Sequence, residues 1–205
     1  MYRNYIKRIL GLTIATLAAI IFSPLFILIW LAIKIEEPHA PAIFKQTRCG
    51  RYREPFTLYK FRSMSSKAPR NLSTREFVDV QKYISPLGYA LRITSLDELP
   101  QLFNIIKGDM TIIGPRPVIY EERRLIEARE RLGVLNLLPG ITGYAQINGR
   151  DEVEVDKKVL LDEYYYKNVS FKQDLQILFM TIPTVLVRKG HKENKLRKNY
   201  KQNHN

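Results

Sequence analysis

The sequence predicts an α+β fold, mostly helical with a small β element, behind an N-terminal membrane helix broken at Ser23-Pro24. Three observations lead there. Residues Ile9 to Ile33 carry no charge, which sets 1–36 apart from the rest. Phe56 to Arg62 alternates with the two-residue period of a strand. Most of the chain beyond Arg62 repeats its apolar residues at helical spacing, punctuated by proline and glycine. The chain therefore divides into a membrane segment at 1–36, a folded domain with interfacial helices at 37–190, and a disordered basic tail at 191–205.

The 205 residues are 45% hydrophobic, enough for a core, so general disorder is excluded. There are 33 Lys and Arg against 20 Asp and Glu, a net charge of +13. That surplus calls for an anionic partner: nucleic acid, anionic lipid or a phosphorylated substrate. Cys49 is the single cysteine and has no internal disulfide partner. His39, His191 and His204 show no metal-ligand spacing.

A helix over Ile9 to Ile33 would be roughly 37 Å long, enough to cross a bilayer. Pro24 breaks or kinks it near the middle. Both flanks are basic, with Arg3, Lys7 and Arg8 before and Lys34, Lys45, Arg48, Arg51 and Arg53 after. The positive-inside rule places both ends in the cytoplasm, as in a segment that enters, turns at Ser23-Pro24 and leaves by the same face. The Ser23 hydroxyl would then satisfy a carbonyl freed by Pro24. A spanning helix with a proline kink fits the same residues, and the two structures stay open here.

Ala42 to Phe44 and Phe56 to Arg62 read as strand pieces with a turn at Gly50. The alternation puts Lys60 and Arg62 opposite Tyr59 and Phe61. Ser65 to Asn71 reads as a loop. Thr74 to Tyr83 and Leu87 to Arg92 read as short helices, the second leading Arg92 toward Asp97-Glu98. Pro100 belongs in a first turn, so a helix is expected from Asp97, as N-cap, through Ile106 to Gly108. Its N-terminus would suit an anion such as phosphate. Ser95-x-x-Glu98 also fits a capping box, so a plain structural cap stands beside the chemical reading.

Thr111 to Ile113 is a short apolar run leading to Gly114-Pro115-Arg116-Pro117. The two prolines stiffen the backbone around Arg116, so its guanidinium loses little entropy on gripping a phosphate. A strand-end turn with a solvated arginine is the alternative. Val118 to Leu132 reads as an amphipathic helix with Glu121 to Arg124 in solvent. Leu138 to Gly143 is a loop whose glycines permit close backbone approach to a ligand, and Gly149 turns the chain before Arg150. Val153 to Lys167 is a helix carrying Asp162. Ser170 caps a last apolar helix that Pro183 is expected to interrupt; with the basic tail it suits an anionic membrane surface.

Taken together, these residues resemble the monotopic phosphoglycosyl transferases, the bacterial sugar transferase family that starts glycan assembly on a polyprenol carrier. The similarity runs through Ser23-Pro24, Lys60-Phe61-Arg62-Ser63-Met64, Leu96 to Met110, Gly114 to Pro117, Pro139 to Arg150, and Asp162-x-x-Tyr165-x-x-Asn168-x-Ser170. It departs from the family at Leu138, at Ile93 and in the segment after Met64, positions that bear on sugar specificity. The resemblance implies a re-entrant membrane helix at the cytoplasmic face of the bacterial inner membrane. It also implies Mg²⁺, a UDP-sugar donor, undecaprenyl phosphate as acceptor, and a covalent aspartyl-phosphosugar intermediate.

On that resemblance Asp97 matches the nucleophile. Glu98 matches its partner in metal binding or proton handling, so both carboxylates are the expected Mg²⁺ ligands. Lys60, Arg92, Arg116, Gln146, Arg150 and Asp162 match substrate- or phosphate-binding positions. The resemblance is consistent with anionic membrane lipids and a homodimer partner and implies no nucleic-acid partner. The competing hypothesis is a basic membrane-anchored protein that binds nucleic acid or anionic lipid. It accounts for the charge and the anchor but not for Asp97-Glu98 or the stiffened Arg116.

Overall fold

A proline four residues after a carbonyl leaves that carbonyl without its helical partner, and this decides the shape of the N-terminal segment. In the computed structural model, which describes residues 1–68, 80–149 and 154–186, the segment forms α1 (Lys7–Ile21) and α2 (Ser23–Glu36). The two meet at Phe22 with a bend of 61°. The carbonyl that Pro24 cannot reach is that of Ile20, and the Ser23 hydroxyl donates to it at 2.8 Å, as the sequence predicts. Neither helix alone is long and apolar enough to cross a membrane; the bent pair together meets that length and composition.

Each helix presents one seam to the rest of the molecule. Gly11 and Ala15 of α1 are buried, with Ala15 packed among Leu58, Ile105 and Met110. Ile29 and Ile33 of α2 pack on Ala42, Phe61 and Leu91. The tip at Ile20, Ile21 and Phe22 is exposed, as are Ile27, Leu28, Trp30 and Leu31. Both ends of the pair are tied to the same body. The Lys7 ammonium lies 2.6 Å from Asp174, which also accepts from Tyr2 and Tyr165. Arg8 donates to the carbonyls of Ile105 and Ile106. At the other end, Lys34 donates to Pro38 and Ala40, and Ser85 donates to Glu36.

Strands β1 (Ile43–Cys49) and β2 (Pro55–Phe61) form the antiparallel hairpin that the alternation predicts. The register pairs Phe44 with Lys60, Gln46 with Leu58 and Arg48 with Phe56, so these six share one face. Phe56 and Leu58 on that face pack toward α1, while Phe61 on the other face packs toward α2. Of the predicted helix at Thr74 to Tyr83, residues 74–79 lie outside the described residues, and Val80–Tyr83 is a 3₁₀ turn. Helix α3 (Pro86–Thr94) is capped by Ser85, whose hydroxyl accepts from the Gly88 amide.

Asp97 is not the cap of a continuous helix. Ser95 adopts a left-handed conformation at φ 58°, a 3₁₀ turn covers Leu96–Glu98, and α4 begins only at Gln101 and runs to Lys107. The 3₁₀ turn absorbs the two acids, and Pro100 marks the true start of the α-helix. Gly108 ends α4 as predicted, at φ 104°.

Strand β3 (Thr111–Ile113) pairs in parallel with β4 (Gly140–Thr142), and α5 (Arg123–Arg131) lies in the connection. Helix α5 is shorter than the predicted Val118 to Leu132. Val118 is held as an isolated bridge to Cys49, whose amide donates to the Val118 carbonyl at 2.9 Å, so the helix cannot begin until the chain has turned away. Then come α6 (Tyr144–Ile147), α7 (Val155–Lys167) and α8 (Phe171–Leu186). Ser170 caps α8, its hydroxyl accepting from the Gln173 amide. Contrary to expectation α8 continues through Pro183. Only three residues of the helix lie beyond that proline, so one lost bond leaves the last turn in place. The predicted tail, 191–205, lies outside the described residues.

Candidate active site

Three separate pieces of backbone meet at Glu98, and each is fixed by its own hydrogen bonds. The first is β2. Asn104 of α4 is fully buried, and its side chain mimics a neighbouring strand. Its Nδ2 donates to the Thr57 carbonyl at 2.7 Å, and its Oδ1 accepts from the Tyr59 amide at 3.0 Å. This docks α4 onto the free edge of β2 and brings Lys60 beside the turn that precedes α4.

The second piece is that turn. Left-handed Ser95 ends α3, and the Glu98 amide donates to the Ser95 carbonyl at 3.1 Å. Asp97 is buried at 7% exposure, and Glu98 is largely covered. The Lys60 Nζ lies 2.8 Å and the Arg116 Nη2 3.1 Å from the same oxygen, Glu98 Oε1. Burial by itself would push the Glu98 carboxyl up. Lys60, and then Arg116, outweigh that and hold it well below the usual carboxylate range. Glu98 is therefore ionised at neutral pH and has no proton to give.

The third piece is the Gly114–Pro117 loop. The Gly114 amide donates to the Thr142 carbonyl at 2.8 Å, and the Gly140 amide donates to the Pro115 carbonyl at 2.9 Å. The backbones approach so closely that a Cβ on Gly140 would lie 2.1 Å from the Gly114 nitrogen. Glycine is required there by space; what approaches is the Gly114 backbone, where the sequence reading expected a ligand. The Arg116 carbonyl accepts from Arg129 Nη1 at 2.9 Å, and Arg129 in turn pairs with Asp162 at 2.6 Å, both side chains 2% exposed.

Lys60, Asp97, Glu98 and Arg116, singled out from the sequence, are thus brought together around one turn. Arg92 is half-buried in the last turn of α3, and its carbonyl accepts from the Ser95 amide. Asp162 reaches the site through Arg129, as a support for the Arg116 backbone. Gln146 donates to the Ile141 carbonyl at 2.7 Å, while its Oε1 is buried without a hydrogen-bond partner among the described residues. Arg150 lies outside the described residues.

Sequence reasoning missed Asn104, Arg129 and Arg48. Arg129 had a signal: it falls on the buried stripe of α5 with Leu125 and Ile126, where a charge requires a partner. Asn104 had none, because an asparagine inside a short helix looks the same whether or not it bonds a strand. Arg48 was read as one more basic flank of the membrane segment, although it shares the Lys60 face of the hairpin.

Among the described residues there is no group of three or more His, Cys, Asp or Glu that would hold a metal by protein ligands alone. Two adjacent carboxylates suit the looser mode of Mg²⁺, which takes one or two carboxylates and completes its shell with water and substrate phosphates. Both cations take Glu98 Oε1, so its Oε2 is not committed to either.

Comparison with known proteins identifies a family. The model of the bacterial sugar transferase family matches residues 2–188. A sugar transferase of Bacillus subtilis, EpsL, is 38% identical over 90% of this chain and 89% of its own length. An undecaprenyl-phosphate galactose phosphotransferase of Salmonella typhimurium is 36% identical over 91% of this chain. A UDP-glucose:undecaprenyl-phosphate glucose-1-phosphate transferase of Escherichia coli is 39% identical over 86% of it. The chain spans 42% and 39% of the length of those last two relatives.

Proposed function

The chain belongs to the bacterial sugar transferase family, and from that premise we propose that it moves a sugar-1-phosphate from a UDP-sugar to a polyprenol phosphate, undecaprenyl phosphate by analogy with its relatives. UMP leaves, and the reaction opens the assembly of a cell-surface glycan at the cytoplasmic face of the bacterial membrane. The observation that carries this reading is the Glu98 carboxylate, gripped by Lys60 and Arg116 beside buried Asp97.

A carboxylate attacking a diphosphate meets a strongly anionic electrophile, so pinned cations must offset the repulsion. An Asp97 oxygen bonds to the β-phosphorus, and the bond from that phosphorus to the bridging oxygen breaks. UMP departs with the bridging oxygen. A phosphate oxygen of the polyprenol phosphate then attacks the same phosphorus and frees the Asp97 carboxylate. The two steps share one site and never need both bulky anions together. Lys60 and Arg116 hold the diphosphate and the departing phosphate; Glu98 stands between those cations as their counter-ion. Asp97 and Glu98 Oε2 would hold Mg²⁺, which when bound neutralises phosphate charge as a Lewis acid.

The anchor is read from the same structure. Both ends of the bent α1–α2 pair are tied to the folded body and its tip is apolar and exposed, which favours a re-entrant segment over a spanning one. The binding-protein alternative has no support in the family match and leaves the carboxylate pair unexplained.

The test is an Asp97→Asn variant incubated with radiolabelled UDP-sugar, Mg²⁺ and polyprenol phosphate. The wild type should release UMP and show a phosphosugar adduct on the Asp97 peptide by mass spectrometry, and the variant should do neither. Wild-type turnover by the variant would sink the mechanism.

A further inference from the structure

We propose that Arg48 is a third cation of the anion site, binding the diphosphate of the donor together with Arg116 and Lys60. The inference rests on the donor class proposed above. Four observations carry it.

The first is placement. Arg48 and Lys60 lie on one face of the β1–β2 hairpin. Arg48 stands four residues along β1 from Phe44, the partner of Lys60, about 13 Å of strand at the usual rise. Two long basic side chains at that separation can reach toward one ligand from opposite sides. The second is the neighbour. Cys49, next to Arg48, is bonded to Val118, two residues past Arg116, so the end of β1 is stitched to the Arg116 loop.

The third is an unmet donor. Among the described residues the hydrogen-bond partner of the Arg48 guanidinium is Gln46 Oε1, 2.6 Å from Nη2. Its Nε is buried with no hydrogen-bond partner among the described residues. A buried unpaired donor on a charged group is rare and costly, and it asks for an acceptor. The fourth is charge. Burial drives the Arg48 guanidinium down to about 10, and Arg116 pushes it in the same direction; Glu122, Glu98 and Glu121 oppose them. Arg48 is still a cation at neutral pH, half-covered and repelled by a second arginine. An anion between the two turns that repulsion into attraction. A guanidinium kept only for packing would gain nothing from standing beside Arg116.

The experiment uses the full chain in detergent micelles with Mg²⁺. Calorimetric titration with inorganic pyrophosphate and with UDP compares the wild type with Arg48→Gln, Arg48→Lys and Arg124→Gln. Arg124 is an exposed residue paired with Asp156 and serves as the control for net charge. Arg48→Gln should weaken both ligands by about 10- to 100-fold, the range for a hydrogen bond to a charged group. Arg48→Lys should keep the charge and lose the fork, giving an intermediate loss. Arg124→Gln should bind as the wild type does.

Pyrophosphate binding by a folded Arg48→Gln within about twofold of wild type would overturn the proposal, since a contact from a largely covered guanidinium to a phosphate is worth more than that. If Arg48→Gln does not fold, Arg48→Lys decides: a loss beyond about threefold supports the site and unchanged affinity overturns it. UMP release from UDP-sugar by the wild type is scored separately. Its absence would remove the enzymatic reading, while pyrophosphate affinity that depends on Arg48 would still stand as an anion site. UMP release with no Arg48 dependence of affinity would do the reverse.

Discussion

Asp162→Asn separates two roles for a buried acid that the sequence leaves fused. If Asp162 touched substrate, the change would abolish turnover and spare the fold. The structure instead pairs it with Arg129, both 2% exposed, with Oδ2 accepting from Nε at 2.9 Å and Nη2 at 2.6 Å. Removing one partner of such a pair leaves an uncompensated buried charge, at a cost of about 3–5 kcal/mol. For a chain of this length that lowers the melting temperature by about 6–20 °C. Thermal unfolding in a fixed detergent, followed by circular dichroism, reads it. The companion is Arg129→Met with Asp162→Leu, in which no charge is stranded. Replacing a whole buried pair by apolar residues is often neutral or stabilising, so this double variant should recover most of the loss. Its turnover should not recover, because Arg129 also donates to the Arg116 carbonyl at 2.9 Å and the double variant has nothing to replace that bond. An Asp162→Asn protein that melts with the wild type, or a double variant with full turnover, would refute the support role.

Three further predictions test other parts of the site. The Glu98 carboxyl is held low in the folded state, so its contribution to stability is full above the ordinary value of 4.5 and is lost as pH falls below it; Glu98→Gln should flatten that acid limb in pH-dependent denaturation. Asn104→Leu strands the Thr57 carbonyl and the Tyr59 amide, costing about 2–4 kcal/mol in chemical denaturation, with KM for the UDP-sugar rising as Lys60 loosens. Cysteines placed at positions 2 and 37 should both be shielded from an impermeant maleimide in intact cells and labelled after lysis, and labelling of position 2 from outside would mean a spanning helix.

The features legible in the sequence obey local rules. Gly108 as a helix stop, Ser170 as a cap, the β1–β2 alternation and the Ser23 bond to Ile20 each depend on a few neighbouring residues. The acids at Asp97 and Glu98 were legible as a pair but not in their conformation. Pro100 suits a helix start at either position, and only the left-handed Ser95 shows that a 3₁₀ turn comes first. The missed residues act across long separations. Arg129 and Asp162 meet 33 positions apart, and Asn104 bonds a strand 47 positions back. Asn104 carries no local mark of its partner, and Arg129 carries only its place on the buried stripe of α5, which asks for a counter-charge without saying which. Helix α5 is shorter than its amphipathic pattern for the same reason, since Val118 is claimed by Cys49.

The independence of the three backbone pieces decides how the site should be read. Lys60 is placed by Asn104 and the hairpin register, Arg116 by Gly140, Thr142 and Arg129, and Glu98 by the Ser95 turn. None of these placements depends on the bonds to Glu98 Oε1. The Lys60–Glu98–Arg116 cluster is therefore a consequence of preorganisation and not its cause. Without Glu98 the backbones that carry the two cations would stay where they are, and the cations would lose their counter-ion. An incoming phosphate would then have no carboxylate to displace. Glu98→Gln should accordingly bind pyrophosphate in the absence of metal at least as well as the wild type, while losing Mg²⁺-dependent turnover. If metal-free pyrophosphate binding collapses in Glu98→Gln, the carboxylate is itself the scaffold, and the backbone account of this site is wrong.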